Sequence, residues 1–193
     1  MHAPLRSFPV LETNRLLLRE IVSADAPDLL RLLSDPEVVR YYDMRLMQNL
    51  AEIYAMIARH QYRFEHDEGI RWGIALKQQP RTVIGTCGLF WEWQKQRGEL
   101  SYALAKPFWN QGLMTEALST VVPYVLDNWT FIERLEAFVV DANIGSQRVL
   151  RKLGFRKEFY SRTRIFVDNQ FHSEHLYVLH RGDSTKLNRW WNK

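Results

Sequence analysis

The stretch of residues 101–117 combines a strand end, a glycine turn and a helix start, an arrangement that can bind a phosphate group. The backbone N–H groups of residues 111–115 lie at the predicted helix start, where they have no partner within the helix and lie at the positive end of its dipole. Gly112 carries no side chain, so an anion can approach the backbone closely. An ordinary helix start capped by Asn110 or Thr115 would contain the same residues.

A second polar pair lies at the start of the next predicted helix. Asn143 follows a strand and opens the helix, and Ser146 comes three residues later on the same helix face. Two polar groups so placed can contact one elongated ligand. Alone, Asn143 would be an N-cap and Ser146 a neutral helix residue.

Short apolar runs and three- to four-residue apolar spacing predict the elements that position these groups. Asp35 and Pro36 favour the start of a short helix, and Ser23 is the expected cap of the helix before it. The pair Asp168 and Asn169 is the expected turn between the last two strands. The predicted strands are 15–19, 72–76, 83–90, 99–104, 135–140, 155–167 and 171–180, and the longer predicted helices are 50–64, 113–125 and 144–153.

Composition places few demands on folding and excludes several classes of protein. The chain has 193 residues, a formal charge of +4 and a single cysteine, Cys87, so no internal disulfide can form. No apolar run approaches the ~20 residues that cross a bilayer. We expect a cytoplasmic protein with a mildly basic surface and no membrane partner. We also expect one domain at 11–181, with an N-terminal extension at 1–10 and a C-terminal tail at 182–193.

Together these segments resemble the GNAT acyltransferase superfamily, and within it the RimJ/RimL-like branch of ribosomal-protein alanine and serine N-terminal acetyltransferases. The resemblance covers about residues 11–181 and also rests on residues 14–19, 84–88 and 152–155. It implies an α+β (mixed α/β) GNAT fold: a central, mostly antiparallel, splayed mixed sheet flanked by helices. It also implies an N-acetyltransferase that uses acetyl-CoA.

The resemblance assigns the cofactor contacts to three groups of residues. The turn binds the CoA pyrophosphate, one strand pairs with the pantetheine arm through its backbone, and the polar pair on the later helix faces that arm and the sulfur. The turn residues are Gln111, Gly112, Leu113, Met114 and Thr115, the strand residues are Tyr102, Ala103, Leu104 and Ala105, and the pair is Asn143 and Ser146.

The implied reaction is direct attack of a neutral amine on the acetyl thioester. Glu99 is the expected general base, a backbone N–H on the strand of Leu104 the expected oxyanion donor, and Ser146 the residue near the leaving sulfur. The sequence departs from the pattern of the superfamily at two notable positions. Leu150 occupies the position at which many relatives have a tyrosine that acts as the acid, and Trp109 occupies a position at which Arg or Gln is usual. No acyl-enzyme is expected, because Cys87 has no histidine base placed by sequence.

The acceptor is expected to be a primary amine, of either a protein N-terminus or a small molecule. Tyr41, Trp91, His172 and Tyr177 are the expected acceptor contacts, in a partly apolar pocket. Nucleic acid is expected only indirectly, through a ribosomal substrate, and the protein is expected to be a monomer or homodimer. Two other functions stay open: a CoA-binding regulatory module without turnover, and an RNA-associated protein that uses its basic surface and the terminal Trp190 and Trp191.

Overall fold

The computed structural model of the protein describes residues 7–42, 45–167 and 170–184. In these residues eight strands form one sheet in the order β1-β2-β3-β4-β5-β6-β8-β7. The strands are β1 (Leu11–Glu12), β2 (Leu16–Glu20), β3 (Gly69–Leu76), β4 (Gly85–Glu92), β5 (Arg97–Leu104), β6 (Arg134–Val140), β7 (Arg156–Val167) and β8 (Gln170–His180). The helices are α1 (Ala26–Leu33), α2 (Pro36–Val39), α3 (Leu50–Glu65), α4 (Leu113–Asn128), α5 (Ile144–Lys152) and α6 (Arg181–Ser184).

The sheet is antiparallel except where β5 meets β6. These two strands are parallel and pair at only three positions, of which Glu99 opposite Glu136 is the last. Beyond that pair the strands separate, although β5 continues to Leu104 and β6 to Val140. The sheet therefore opens into a cleft, and β6 provides no ladder partner for the second half of β5.

Helices cover both faces of the sheet, because each face is lined by alternate apolar strand residues. One core cluster contains the inner side of α4, with Ala117, Leu118 and Val121 fully buried against the strands. The second cluster contains residues of α1, α2 and α3, among them Leu29 and Ile53. Each fully buried Leu, Ile or Val of these clusters contributes about 1.5–3 kcal/mol through burial. The two layers fix the positions of the strands on either side of the cleft.

The expected fold class is confirmed, and most predicted elements occur with slightly different ends. Ser23 is an exception: a short 3-10 turn over Ser23–Asp25 precedes α1, which begins only at Ala26. The reason is the carboxylate of Asp25, which accepts from the Val22 N–H (2.9 Å) and pairs with Arg19 (2.7 Å). By contrast, Asp35 caps α2 as expected, accepting from the N–H of Glu37.

Two short elements, β1 and α6, had no counterpart among the sequence predictions. The expected turn at Asp168 and Asn169 and the pair Trp190 and Trp191 lie outside the described residues. Among the helices that the structure does describe, none is long and apolar enough to cross a membrane.

Candidate active site

The predicted phosphate-binding turn has the geometry of an anion site. Asn110 (φ 59°) and Gly112 (φ 75°) both adopt left-handed backbone conformations, and α4 begins directly afterwards. The first bond inside the helix runs from the Glu116 N–H to the Gly112 carbonyl (2.9 Å). The N–H groups of the preceding residues 113–115 therefore have no partner one turn back, and they point out of the helix at its positive end. The side chains of Met114 and Thr115 are buried, so this surface is backbone.

A guanidinium that the sequence analysis did not assign lies next to this turn. An added side-chain carbon at Gly112 would meet only Arg15, whose Nη2 lies 3.7 Å away. Glu116 holds Arg15 there, because its Oε2 accepts from Arg15 Nε (2.7 Å) and its Oε1 accepts from Thr13 Oγ1 (2.5 Å). Arg15 stays half exposed. The turn can thus offer an anion both backbone N–H groups and one positive side chain.

The electrostatics of Glu116 agree with this arrangement. Partial burial would raise the pKa of Glu116, but the hydrogen bonds from Thr13 and Arg15 outweigh burial and lower it. The carboxylate is therefore ionised at neutral pH and fixes the guanidinium beside the turn. Since Arg15 and Glu116 are 101 residues apart, no local sequence pattern could have revealed the pair.

The cleft-facing edge of β5 presents the peptide groups of Tyr102 and Leu104. The Ala105 N–H donates to the Ile84 carbonyl (2.9 Å) on the other side, next to β4. Because successive peptide groups of a strand alternate in direction, those of Leu104 and Tyr102 face away from β4, toward the cleft. Ala103, which pairs with Thr86, faces β4 like Ala105. The structure thus places only two of the four predicted strand residues with their backbone toward the cleft.

Side chains already bind both carbonyls on this edge. The hydroxyl of Tyr42 donates to the carbonyl of Tyr102, and the indole Nε1 of Trp109 donates to the carbonyl of Leu104 (2.6 Å). Burial raises the pKa of Tyr42 to about 12, so this donor stays protonated. The N–H groups of Tyr102 and Leu104 are then the groups that the strand edge offers to a ligand.

A pair of hydroxyl groups joins β5 to α5 across the cleft. Asn143 accepts from the N–H of Ser146 (3.0 Å), which makes it the N-cap of α5. The Ser146 hydroxyl lies 2.6 Å from the Tyr102 hydroxyl. Burial raises the pKa of Tyr102, so its phenol is protonated at neutral pH. The sequence analysis assigned only the backbone of Tyr102, yet its side chain is a proton donor in contact with Ser146.

Glu99 lies where the two parallel strands part. It pairs in register with Glu136 of β6 and with Phe90 of β4, and it is partly buried. Glu136 is almost fully buried and forms ion pairs with Arg97 (2.8 Å) and Arg134 (2.7 Å). Both ion pairs of Glu136 therefore lie next to Glu99, at the apex of the cleft.

Arg71 of β3 forms a second polar group on the Glu99 side of the sheet. Its guanidinium donates to Thr86 Oγ1 (3.3 Å) and to the Ser101 hydroxyl. Ser101 lies two residues beyond Glu99, so the two side chains share one face of β5. His60 of α3 lines two small pockets together with Arg71. Burial, reinforced by nearby arginines, lowers the pKa of His60 to about 3, so this ring is neutral.

The expected acceptor contacts do not lie together. Trp91 is a core residue: it is 6% exposed, its ring centroid lies 4.9 Å from that of Trp129, and its indole donates to the Asp67 carbonyl. The structure therefore places Trp91 in the core and not at an acceptor surface. Tyr177 is 1% exposed, and its hydroxyl donates to Gln147 Oε1 (3.3 Å).

The two remaining residues lie nearer the surface. His172, at the start of β8, is half-buried, and its Nδ1 lies 2.9 Å from the Asp141 carboxylate in the turn before α5. Partial burial would raise the pKa of Asp141, but the hydrogen bonds from His172 and the Ser173 N–H lower it. Tyr41 follows α2, and the guanidinium of Arg40 lies over its ring, 5.5 Å from the centroid.

A sheet whose parallel central strands separate beside a helix N-terminus with free N–H groups is the architecture of transferases that take an acyl group from coenzyme A. The model of the family described as "Acetyltransferase (GNAT) domain" matches residues 15–156. The chain belongs to this family. Acetyl-CoA is accordingly its cofactor, and the exposed N–H groups of the turn, the side-chain-free Gly112 and the adjacent Arg15 fit its phosphates.

Individual relatives agree with this assignment. The chain is 33% identical over 173 residues to the uncharacterized N-acetyltransferase YoaA of Bacillus subtilis, covering 89% of this chain and 97% of YoaA. It is 31% identical over 86 residues to the ribosomal protein uS5 alanine N-acetyltransferase of Escherichia coli, covering 45% and 44% of the two chains. Among solved structures, the chain is similar in fold to RimL, a ribosomal L7/L12 α-N-protein acetyltransferase in complex with coenzyme A. The TM-score is 0.80 at 16% sequence identity, and the superposition covers 91% of this chain and 99% of the RimL chain. The expected resemblance to the RimJ/RimL-like branch is confirmed.

Proposed function

We propose that this acetyltransferase transfers the acetyl group to a primary amine by direct attack, without an acyl-enzyme. The observation that carries the proposal is the cleft between β5 and β6. The helix N-terminus of α4 lies beyond the end of β5, a hydroxyl pair bridges the cleft, and the carboxylate of Glu99 lies at its apex. Anion binding, proton donation and proton acceptance thus occur along one strand.

Each proposed role follows from the chemistry of its group. Bound acetyl-CoA supplies an acetyl thioester, which a neutral amine can attack. Glu99 attracts the protonated amine and accepts its proton, directly or through water. The N–H groups of Tyr102 and Leu104 face the cleft and can donate to the negative charge that develops on the acetyl oxygen. The hydroxyl of Ser146, backed by the protonated phenol of Tyr102, donates to the departing sulfur.

The state of the only cysteine supports direct attack. Cys87 is fully buried in β4, and burial raises the pKa of its thiol to about 12. At neutral pH it is therefore an uncharged thiol without access to a substrate, whereas a cysteine nucleophile requires the thiolate. A covalent acetyl-cysteine step is thus absent from the proposal.

The acceptor is proposed to be the N-terminus of a protein or a small-molecule amine. The uS5 alanine acetyltransferase and the L7/L12 enzyme are named for ribosomal proteins, which favours a peptide N-terminus and a cytoplasmic location. His172 and Tyr41 remain proposed acceptor contacts, because both are partly exposed, His172 near the start of β8 and Tyr41 just after α2.

The test is release of free CoA thiol from acetyl-CoA in the presence of an amine panel: peptides with N-terminal Ala or Ser, amino acids and polyamines. We expect release that requires an amine and yields an acetylated product of matching mass. Calorimetry with CoA is run in parallel. Binding of CoA without turnover of any amine would favour the regulatory module instead, and salt-sensitive RNA binding that acetyl-CoA does not alter would favour the RNA-associated protein.

A further inference from the structure

The guanidinium of Arg71 lies on the sheet face that carries Glu99. Its hydrogen bonds go to two neutral hydroxyl groups, those of Thr86 and Ser101. In the part of the chain that the structure describes, no acidic side chain lies within ion-pair distance of it. Burial lowers the pKa of Arg71, as expected for a desolvated cation.

The surroundings of Arg71 add to its positive charge. Arg59 and Arg63 of α3 lie near enough to lower its pKa further, and His60 beside it is neutral. Glu20 lines one of the two small pockets that His60 and Arg71 share, but it forms no ion pair with the guanidinium. A desolvated charge is costly unless it is paired. A bound carboxylate would therefore pair with the guanidinium of Arg71.

We propose that Arg71 binds a carboxylate carried by the acceptor, so that the preferred substrates are amines that also bear an acidic group. This inference rests on the proposed function, because it assigns the amine to Glu99. Ser101, which accepts from Arg71, lies two residues beyond Glu99, about 7 Å along the strand. One molecule can therefore direct its amine to Glu99 and its carboxylate to Arg71 if several bonds separate the two groups. A short peptide meets that requirement through its C-terminus or through an acidic second residue.

The experiment compares kcat/KM for matched acceptors that differ only in this charge. The first pair is a seryl dipeptide with a free C-terminal carboxylate and the same dipeptide with a C-terminal amide. The second pair is two peptide amides that differ only in the second residue, which is Glu in one and Gln in the other. The two pairs distinguish a C-terminal from a side-chain carboxylate. With the wild-type protein we expect the acidic member of at least one pair to be preferred by about ten- to a hundredfold, the range of a charge-assisted hydrogen bond.

Variants then assign the preference to a residue. Arg71→Gln should bring the ratio between acidic and neutral acceptors close to one, and Arg71→Lys should restore part of it. Arg59→Gln, which removes a more exposed charge from the same region, is the matched control and should keep the ratio. Calorimetry with CoA verifies that each variant is folded.

Two results would overturn the inference: equal rates for both members of each wild-type pair, or an unchanged ratio in Arg71→Gln, even where both rates fall. The wild-type comparison requires no variant, so it stands even if Arg71→Gln does not fold. Equal rates with active enzyme would leave the proposed function intact. If no amine supports thiol release, the proposed function itself fails.

Discussion

The turn before α4 can be tested by adding one charge. Gly112→Asp places a carboxylate among the N–H groups that we assign to the CoA pyrophosphate, and Gly112→Asn adds a side chain of the same shape without charge. Both substitutions introduce a side chain at φ 75°, where Asn and Asp are the better tolerated residues. The added carbon has only Arg15 Nη2 within 4 Å, at 3.7 Å. Neither variant should clash with the protein. Each should lose only about 1 kcal/mol of folding free energy, because a residue with a side chain is strained in the left-handed conformation.

The difference between the two variants is electrostatic. A carboxylate about 5 Å from a phosphate oxygen, at an effective dielectric constant of about 20, weakens binding by about 3 kcal/mol. That energy corresponds to about a hundredfold increase in the Kd for CoA relative to Gly112→Asn. Raising the ionic strength should reduce the difference, because the turn is exposed to solvent.

Calorimetric titration with CoA at two salt concentrations, together with thermal unfolding, measures both quantities. An affinity for CoA that matches the wild type in both variants would refute the assignment of the pyrophosphate to this turn. A loss of affinity in both variants to the same extent would show that the turn matters through its backbone conformation alone.

Four further predictions concern the remaining groups. Ser146→Ala should lower kcat while leaving the Kd for CoA nearly unchanged; if binding falls in proportion, the serine is only a cofactor contact. Arg15→Gln should weaken CoA binding several-fold by calorimetry, more at low salt than at high salt, and a salt-independent effect would remove Arg15 from the phosphate site. Glu99→Gln should depress kcat/KM about 10²- to 10⁴-fold at a pH below the pKa of the amine, which is about 8 for a peptide N-terminus and about 10 for an aliphatic amine. The effect should shrink as pH approaches that pKa, since solution then supplies neutral amine. A wild-type pH–rate profile in that variant would place the base elsewhere. His60, with its folded pKa near 3 and an unfolded value near 6.5, stabilises the fold above pH 6.5 and loses that contribution as pH falls toward 3. His60→Gln should therefore show a smaller drop in urea-unfolding free energy between pH 7 and pH 5, and equal drops would contradict a buried neutral ring.

Local patterns in the sequence were sufficient to predict most of the strands and helices, because a helix or strand with one buried face repeats its apolar residues with its own period. The turn of the candidate site could be proposed from the sequence in the same way, since the glycine and the start of α4 are adjacent in sequence. The prediction that Trp91 contacts the acceptor was wrong, because it also rested on the local pattern alone. The predicted strand ended at residue 90, so Trp91 was expected to contact the acceptor, whereas β4 continues to Glu92 and the indole packs against Trp129.

Contacts between side chains that are far apart in sequence could not be predicted from local patterns. Arg15 reaches the turn through Glu116, and Arg71 reaches Ser101 from a strand two positions away in the sheet. The contact between Tyr102 and Ser146 spans 44 residues and depends on how far the parallel strands separate. Each of these contacts follows from tertiary packing, and no periodicity encodes it.

The alternation of β5 divides the proposed chemistry between the two faces of the sheet. Glu99 and Ser101 are two residues apart and share the face of Arg71, whereas Tyr102 lies on the opposite face with Ser146. The proposed proton acceptor and the proposed proton donor are thus only three residues apart along one strand, on opposite faces of the sheet. Glu99 can take a proton from the amine without exchanging it directly with the phenol, whose burial keeps it protonated. The acetyl group would pass through the cleft between them, where the N–H of Tyr102 faces the same opening.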